Sequence, residues 1–277
     1  MRIMLTNSIE ESPIPGHWPC THRPLLPVCG KPIVVHQIEH FANRGMKQFI
    51  IPRSPSQAAL RARLGNGQEW GVTIRYSDMT DEELLSVNKL NGTEIMVVAG
   101  DTLDRRMAMS LNTTSSGSKF AISSLQDYHR INLAAIRGEV ELTLPGRPVH
   151  NFYAQSDWYT NIDPHAYIGQ NVFLGKHCCV GADSRLEQNC ILGNGVLISE
   201  NVTLSNVTVL PNTYIKAGAH FENAVLYDGY VLSLDGHEAE STSLSISRAS
   251  NPSVTGLPQQ ESSGAFFVKE RRQHRGR

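Results

Sequence analysis

Apolar residues fall at Ile162, Ile168, Leu174, Val180, Leu186, Leu192, Ile198 and Leu204, every sixth position. The period loses one residue and resumes at Val209, Ile215 and Phe221, then loses another and resumes at Leu226 and Leu232. Neither an α-helix nor a half-exposed strand sustains a period of six. Such a repeat predicts a parallel β-helix, in which each hexad supplies one short strand and one corner of a triangular coil. Four residues after each apolar position stands a small or β-branched side chain, as at Val172, Cys178, Ser184, Cys190, Val196 and Val202. Residues two apart share a strand face, so these pairs point inward together. Gly, Asn and Asp lie between them and tolerate the backbone that tight corners need. The stretch is long enough for about four coils of roughly 18 residues.

The first hundred residues follow another rhythm. Short apolar runs at Arg2–Thr6, Gln48–Pro52, Val72–Tyr76 and Glu94–Ala99 alternate with helical patterns at Pro32–Arg44, Pro55–Leu64 and Thr80–Leu90. Pro32 suits a first helical turn, and Gly45 and Gly65 suit helix ends. The acids Asp81, Glu82 and Glu83 favour the N-terminal end of their helix dipole. This alternation predicts a doubly wound α/β domain with a parallel sheet buried on both faces. Beyond it, Phe120–Leu125, Asn132–Ile136 and Val140–Leu144 read as strands finishing the sheet, and Pro145–Pro148 as a turn. Phe152, Tyr153, Trp158 and Tyr159 stand where a cover for the open end of the coil is needed. The organisation expected is an α/β domain over 1–159, a β-helix over 160–236 and a tail over 237–277. Within the tail, Glu238–Gly264 has the composition of disorder.

Composition narrows the classes. The chain has 277 residues, 40% hydrophobic and 18% charged, with a net charge of −1. That balance is ordinary for a soluble protein and gives no support to a nucleic-acid or membrane surface. No apolar run is long enough for a transmembrane helix, and the N-terminal stretch lacks the apolar core of a secretory signal. Five cysteines without framework spacing fit a reduced, cytoplasmic setting. Cys178 and Cys190 take inward hexad positions. A zinc site with Cys179 is the alternative, though no C-x-x-C pair is present. The chain ends with Lys269, Arg271, Arg272, Arg275 and Arg277 against Glu270, a solvated basic end or a contact for an acidic partner or membrane surface.

The stretch RPLLPVCGKPIVVHQIEHFANRGMKQFII, Arg23–Ile51, resembles the sugar-nucleotide pyrophosphorylases. Pro24, Leu25, Leu26, Pro27, Val28, Gly30, Lys31 and Pro32 match that family's Pro-Leu-Leu-Pro-Val-x-Gly-Lys-Pro. GTEIMVVAGDTLD, Gly92–Asp104, is similar to its strand ending in Gly-Asp, here Gly100 and Asp101. LSNVTVLPNTYIKAGAHFENAVLYDG, Leu204–Gly229, resembles the left-handed β-helix that many members carry. The resemblance covers about 1–104 and 162–236. It implies a Rossmann-like nucleotidyltransferase domain, shortened here, followed by a left-handed parallel β-helix. It further implies transfer of a nucleotidyl group from a nucleoside triphosphate to a sugar 1-phosphate. Asp101 would then hold Mg2+, with Asp104 nearby, and Arg23 and Lys31 would contact phosphates. A carboxylate at a parallel strand's C-terminal end is where such a metal is needed. The implied setting is cytoplasmic synthesis of polysaccharide precursors, by a homo-oligomer or hetero-oligomer binding a nucleotide or sugar phosphate.

The chain departs from that pattern at several points. Where the family has a Gly-rich triphosphate loop, this chain has NSIEESPIPGHW, Asn7–Trp18. Its prolines remove N–H donors, and Glu10 and Glu11 oppose phosphate. Arg23 stands in place of a lysine, a fork in place of a point charge. The region between Gly-Asp and the coil is short, and a second metal-binding aspartate is not recognisable. Two further readings follow: a non-catalytic regulatory or scaffold subunit, and a hexapeptide-repeat acyltransferase using a corner histidine (His165, His177 or His220) as general base.

Overall fold

The computed structural model describes residues 2–6, 22–90, 95–99, 102–104, 119–122, 124–140, 142–149, 151–156, 159–227, 229–234 and 246–248. The loop Asn7–Trp18, the pair Gly100 and Asp101, and the basic end Lys269–Arg277 lie outside these residues.

The N-terminal sheet contains β1 (Arg2–Thr6), β4 (Gln48–Ile51), β5 (Thr73–Tyr76) and β6 (Ile95–Ala99), in the order β5-β4-β1-β6. All three pairings are parallel. The short hairpin β2 (Pro27–Val28) and β3 (Lys31–Pro32) leads into α1 (Ile33–Asn43), where Pro32 is the N-cap, as its fixed φ favours. Ile3, Leu5, Phe49, Ile51 and Ile74 bury one sheet face against α1 and α2 (Gln57–Leu64). The other face carries α3 (Asp81–Leu90), whose Leu84 covers Met4 and Ile50. Helices on both faces of a parallel sheet make this the doubly wound architecture expected. Its second face is thinly covered: Val97, in register with Met4, is 48% exposed.

The region after β6 corrects the expectation of three sheet-finishing strands. β7 (Thr102–Asp104) and β8 (Lys119–Ala121) form a small antiparallel pair of their own, and Leu125–Ile136 is a helix, α4. Tyr128, Ile131, Asn132 and Ala135 recur at helical spacing and are buried. Ser124 caps the helix by accepting from the Asp127 N–H at 3.1 Å, a Ser-x-x-Asp box legible in the sequence.

β9 (Arg147–Val149) pairs antiparallel with β10 (Asn151–Ser156), which pairs in parallel with the first full coil, Ala154 opposite Val172. The stretch holding Phe152 and Tyr153 is thus a rung of the coil. Tyr159 is not the expected aromatic cover: it is 80% exposed and stacks on His177, and Trp158 lies outside the described residues.

The coil runs through β11 (Asn161–Ile162), β12 (Tyr167–Gln170), β13 (Val172–Leu174), β14 (Cys179–Val180), β15 (Arg185–Gln188), β16 (Ile191–Leu192), β17 (Leu197–Ile198), β18 (Thr203–Val209), β19 (Thr213–Ile215) and β20 (His220–Tyr227). Three columns of inward residues stack in parallel register. They are Ile162–Val180–Ile198–Ile215, Ile168–Leu186–Leu204–Phe221 and Leu174–Leu192–Val209–Leu226. The hexads therefore fold as read. The two shortened corners turn on Asn206 and Asn223, at φ 55° and 52°, and the Asn206 amide donates to Asn223 Oδ1 at 2.6 Å.

β21 (Tyr230–Ser233) closes one side of the last coil antiparallel to β20, and β22 (Ile246–Arg248) closes another antiparallel to β19. β22 lies within Glu238–Gly264, the stretch whose composition is that of disorder, and the rest of that stretch lies outside the described residues. An open coil end leaves unpaired strand edges, and pairing them drives a short segment into order.

The two halves share a core. The outward column Phe173–Ile191–Thr208–Val225 is buried, where an outward column would meet water. It packs on Val28 and Cys29 from the hairpin, on Leu26 and Ile33 that flank it, and on Tyr128 and Ile131 from α4.

Candidate functional site

Parallel pairing fixes the geometry of the candidate site. Thr6 lies opposite Ala99, so β1 and β6 end side by side. The chain leaving β1 begins the loop at Asn7, and the chain leaving β6 reaches Gly100 and Asp101 at once. Both therefore depart from the C-terminal edge of the sheet, where open α/β sheets take ligands.

Arg23 belongs to this edge. It opens a turn of 3-10 helix, Arg23–Leu25, closed by the Leu26 N–H donating to the Arg23 carbonyl at 3.0 Å. The preceding His22 ring bonds the Ser56 hydroxyl at 3.1 Å, and Ser56 follows the C-terminal end of β4. Arg23 is thus held near the C-terminal end of β4. No signal in the sequence separates His22 and Ser56 from other polar loop residues.

Lys31 is held differently. Its ammonium donates to both Glu39 oxygens at 3.1 and 2.8 Å and to the Thr143 carbonyl at 3.0 Å. An ammonium has three N–H donors, and these contacts use all of them. Lys31 therefore ties α1 to the segment before the coil. Reaching a phosphate requires it to surrender one of these bonds. Glu39 is the partner that sequence spacing does not reveal, because the pair forms only through the bend from β3 into α1 at Pro32.

The hairpin between them is rigid. Cys29 and Gly30 have φ of 44° and 79°, and a Cβ on Gly30 would stand 3.3 Å from Asn194 Oδ1 of the coil. The Cys29 N–H donates to Asn132 Oδ1, and the Tyr128 hydroxyl donates to the Pro27 carbonyl at 2.6 Å. His36 Nε2 bonds the Val28 carbonyl at 2.9 Å. Burial pushes His36 down to about 4, so it is neutral and Nε2 carries the proton. Its buried Nδ1 has no hydrogen-bond partner among the described residues.

Magnesium is commonly held by one or two carboxylates together with substrate phosphates. Among the described residues no group of three or more His, Cys, Asp or Glu side chains gathers to hold a metal. A lone Asp101 completed by phosphate oxygens is compatible with that chemistry. Cys178, Cys179 and Cys190 do not converge as a zinc site would require. Cys178 and Cys190 point into the coil while Cys179 points out, as successive strand residues must. His165, His177 and His220 are exposed, and the His165 ring meets Asp163 at 3.1 Å.

The family described as bacterial transferase hexapeptide (six repeats) matches residues 165–200. The chain is 30% identical over 122 residues to a mannose-1-phosphate guanylyltransferase of Mycobacterium tuberculosis, covering 41% of this chain and 30% of that protein. It is 29% identical over 86 residues to a glucose-1-phosphate thymidylyltransferase of Xanthomonas campestris pv. campestris, covering 28% of this chain and 29% of that one. The chain thus spans about 30% of the length of these relatives. Among the described residues no helix is long and apolar enough to cross a membrane.

Proposed function

We propose that this chain, a member of the sugar-nucleotide nucleotidyltransferase family with a β-helix behind its sheet, binds a nucleotide or nucleotide sugar at the C-terminal edge of β1 and β6. The observation that carries the reading is the Thr6–Ala99 register, which brings the departures of the loop at Asn7 and of Gly100–Asp101 to one place. Asp101 would hold Mg2+ together with ligand phosphate oxygens, and Arg23, moored at the same edge, would pair with phosphate as a bidentate fork. Bound magnesium would supply charge neutralisation on the phosphates.

The loop that follows β1 decides between binding and transfer. Glycine N–H groups that cradle a triphosphate are replaced by prolines and acids, and Lys31 is committed to Glu39. These features support a nucleotide-sugar-binding regulatory or scaffold subunit in cytoplasmic polysaccharide precursor synthesis. Transfer itself is the second reading, supported by Gly100–Asp101 and Arg23.

The test is to incubate the full chain with Mg2+, each nucleoside triphosphate and a panel of sugar 1-phosphates while following pyrophosphate. Nucleotide-sugar binding is measured in parallel. Saturable binding without pyrophosphate release, lost in Arg23→Ala, is expected. Release that vanishes in Asp101→Ala would establish transfer instead. Absence of both would overturn the assignment to this edge.

A further inference from the structure

The second face of the sheet carries a cleft of about 290 Å³ that the nucleotide edge does not use. Register defines its walls. Arg2, Gln48 and Thr73 form one row across β1, β4 and β5, and Met4, Ile50 and Arg75 form the next row on the same face. α3 roofs the cleft with Leu84, and Ile50 supplies an apolar floor. The two arginines stand on strands separated only by β4, roughly 12 Å apart by strand spacing and rise. Extended arginine side chains close that gap on one anion between them.

Charge makes the cleft selective. Arg2 and Arg75 both line it, and among the described residues no acidic side chain does. The Arg2 Nε donates to Gln48 Oε1 at 3.2 Å, which leaves the rest of its guanidinium available. No hydrogen bond or ion pair holds the Arg75 guanidinium among the described residues. Thr73 and Gln48 add neutral polar groups between the cations. The sheet's second face, normally covered in this architecture, is bare beside the cleft at Val97. The cleft lies at the low end of ligand-pocket volumes, about 300 Å³ upward, room for a hexose phosphate rather than a dinucleotide.

We propose that this cleft is a second ligand site that takes a small phosphate monoester of sugar size, gripped by Arg2 and Arg75 and seated on Ile50 and Leu84. Guanidinium forks match phosphate oxygens bidentately, and two of them balance the near-double charge of a monoester. Arg2 stands at the opposite end of β1 from Thr6, roughly 13 Å along the strand. The Arg2 end of the cleft is therefore remote from the β1–β6 edge, while Tyr76 and Ser77 at the C-terminal end of β5 line its other end, and the proposal does not depend on the reading given to the β1–β6 edge.

The test is titration calorimetry of the full chain with glucose 1-phosphate, without nucleotide, alongside inorganic phosphate and glucose. Saturable binding of glucose 1-phosphate is expected, stronger than that of inorganic phosphate, with none for glucose. Arg75→Gln and Arg2→Gln should each weaken it about tenfold or more, as loss of a charge-assisted contact does. Arg75→Lys should fall between, because it keeps charge without the fork. Asp101→Ala should leave it unchanged. No saturation at millimolar ligand, or binding that survives Arg75→Gln, would overturn the site. Binding lost in Asp101→Ala but kept in Arg75→Gln would overturn it too, while leaving the nucleotide edge standing.

Discussion

The backbone N–H of Cys29 donates a 2.8 Å hydrogen bond to Oδ1 of Asn132, both groups buried and 103 residues apart. Asn132 in turn donates to the Tyr128 carbonyl one helical turn earlier, at 2.8 Å. The bond joins the hairpin before α1 to α4, and through α4 to the coil. Three elements far apart in sequence therefore set the orientation of the segment that carries Arg23 and Lys31.

Asn132→Ala should destabilise the protein by about 1–3 kcal/mol, because the Cys29 N–H loses its partner in a water-free core. Urea unfolding measures this. The same variant should weaken nucleotide binding by loosening the hairpin. A variant as stable as the parent would show that water or backbone movement satisfies the Cys29 N–H.

Stability should fall on acidification through the imidazole range. Burial pushes both His36 and His129 below the ordinary value near 6.5, His36 to about 4. His129 sits between Thr208 Oγ1 at 2.7 Å and Asn206 Oδ1 at 2.9 Å. A histidine depressed in the folded state takes up its proton preferentially when unfolded. The stabilisation is therefore full above pH 6.5, declines as pH drops, and levels off for His36 below about 4. The His36 shift corresponds to about 3 kcal/mol. Urea unfolding between pH 7.5 and 4.5 should show the decline, and His36→Gln should flatten it. Stability that rises toward pH 5 would contradict this.

Thiol labelling should separate the cysteines. Burial pushes Cys178 and Cys190 up to about 12 and raises Cys29 further, whereas Cys179 is exposed. Thiolates are the reactive form, so among these four the native protein should alkylate at Cys179. Peptide mass spectrometry after brief iodoacetamide treatment reads this out. Cys29, Cys178 and Cys190 should react only after denaturation.

Ile246→Ala should loosen the end of the coil. Ile246 is 1% exposed, pairs with Ile215 and packs into the coil core. Truncating a buried isoleucine costs about 2–5 kcal/mol. Hydrogen exchange should lose protection at Thr213–Ile215 before it loses protection at the middle coils. Uniform loss would mean that the coil unfolds as one unit.

The inward columns of the coil were legible because the hexad is local. Each inward residue is stacked on its counterpart one coil later, so the period along the chain is the period in space. The parallel sheet was legible for a similar reason, since each strand and helix carries its own pattern. Helix α4 was not legible by alternation, because Asn132–Ile136 contains enough apolar residues to suit either period. The Ser124–Asp127 cap carried the deciding local signal.

The sequence by itself determined the coil, its corners and the alternating sheet and helices, all products of patterns within about twenty residues. Tertiary structure decided what the leftover apolar residues do. Phe173, Ile191 and Val225 point out of the coil and are buried only because α4 and the hairpin cover them. It also decided that Lys31 donates to the Thr143 carbonyl and that Ile246 closes the last coil. These outcomes depend on surfaces that exist only once distant elements meet. Burial and long-range hydrogen bonding are properties of that meeting, and no single stretch of chain encodes them.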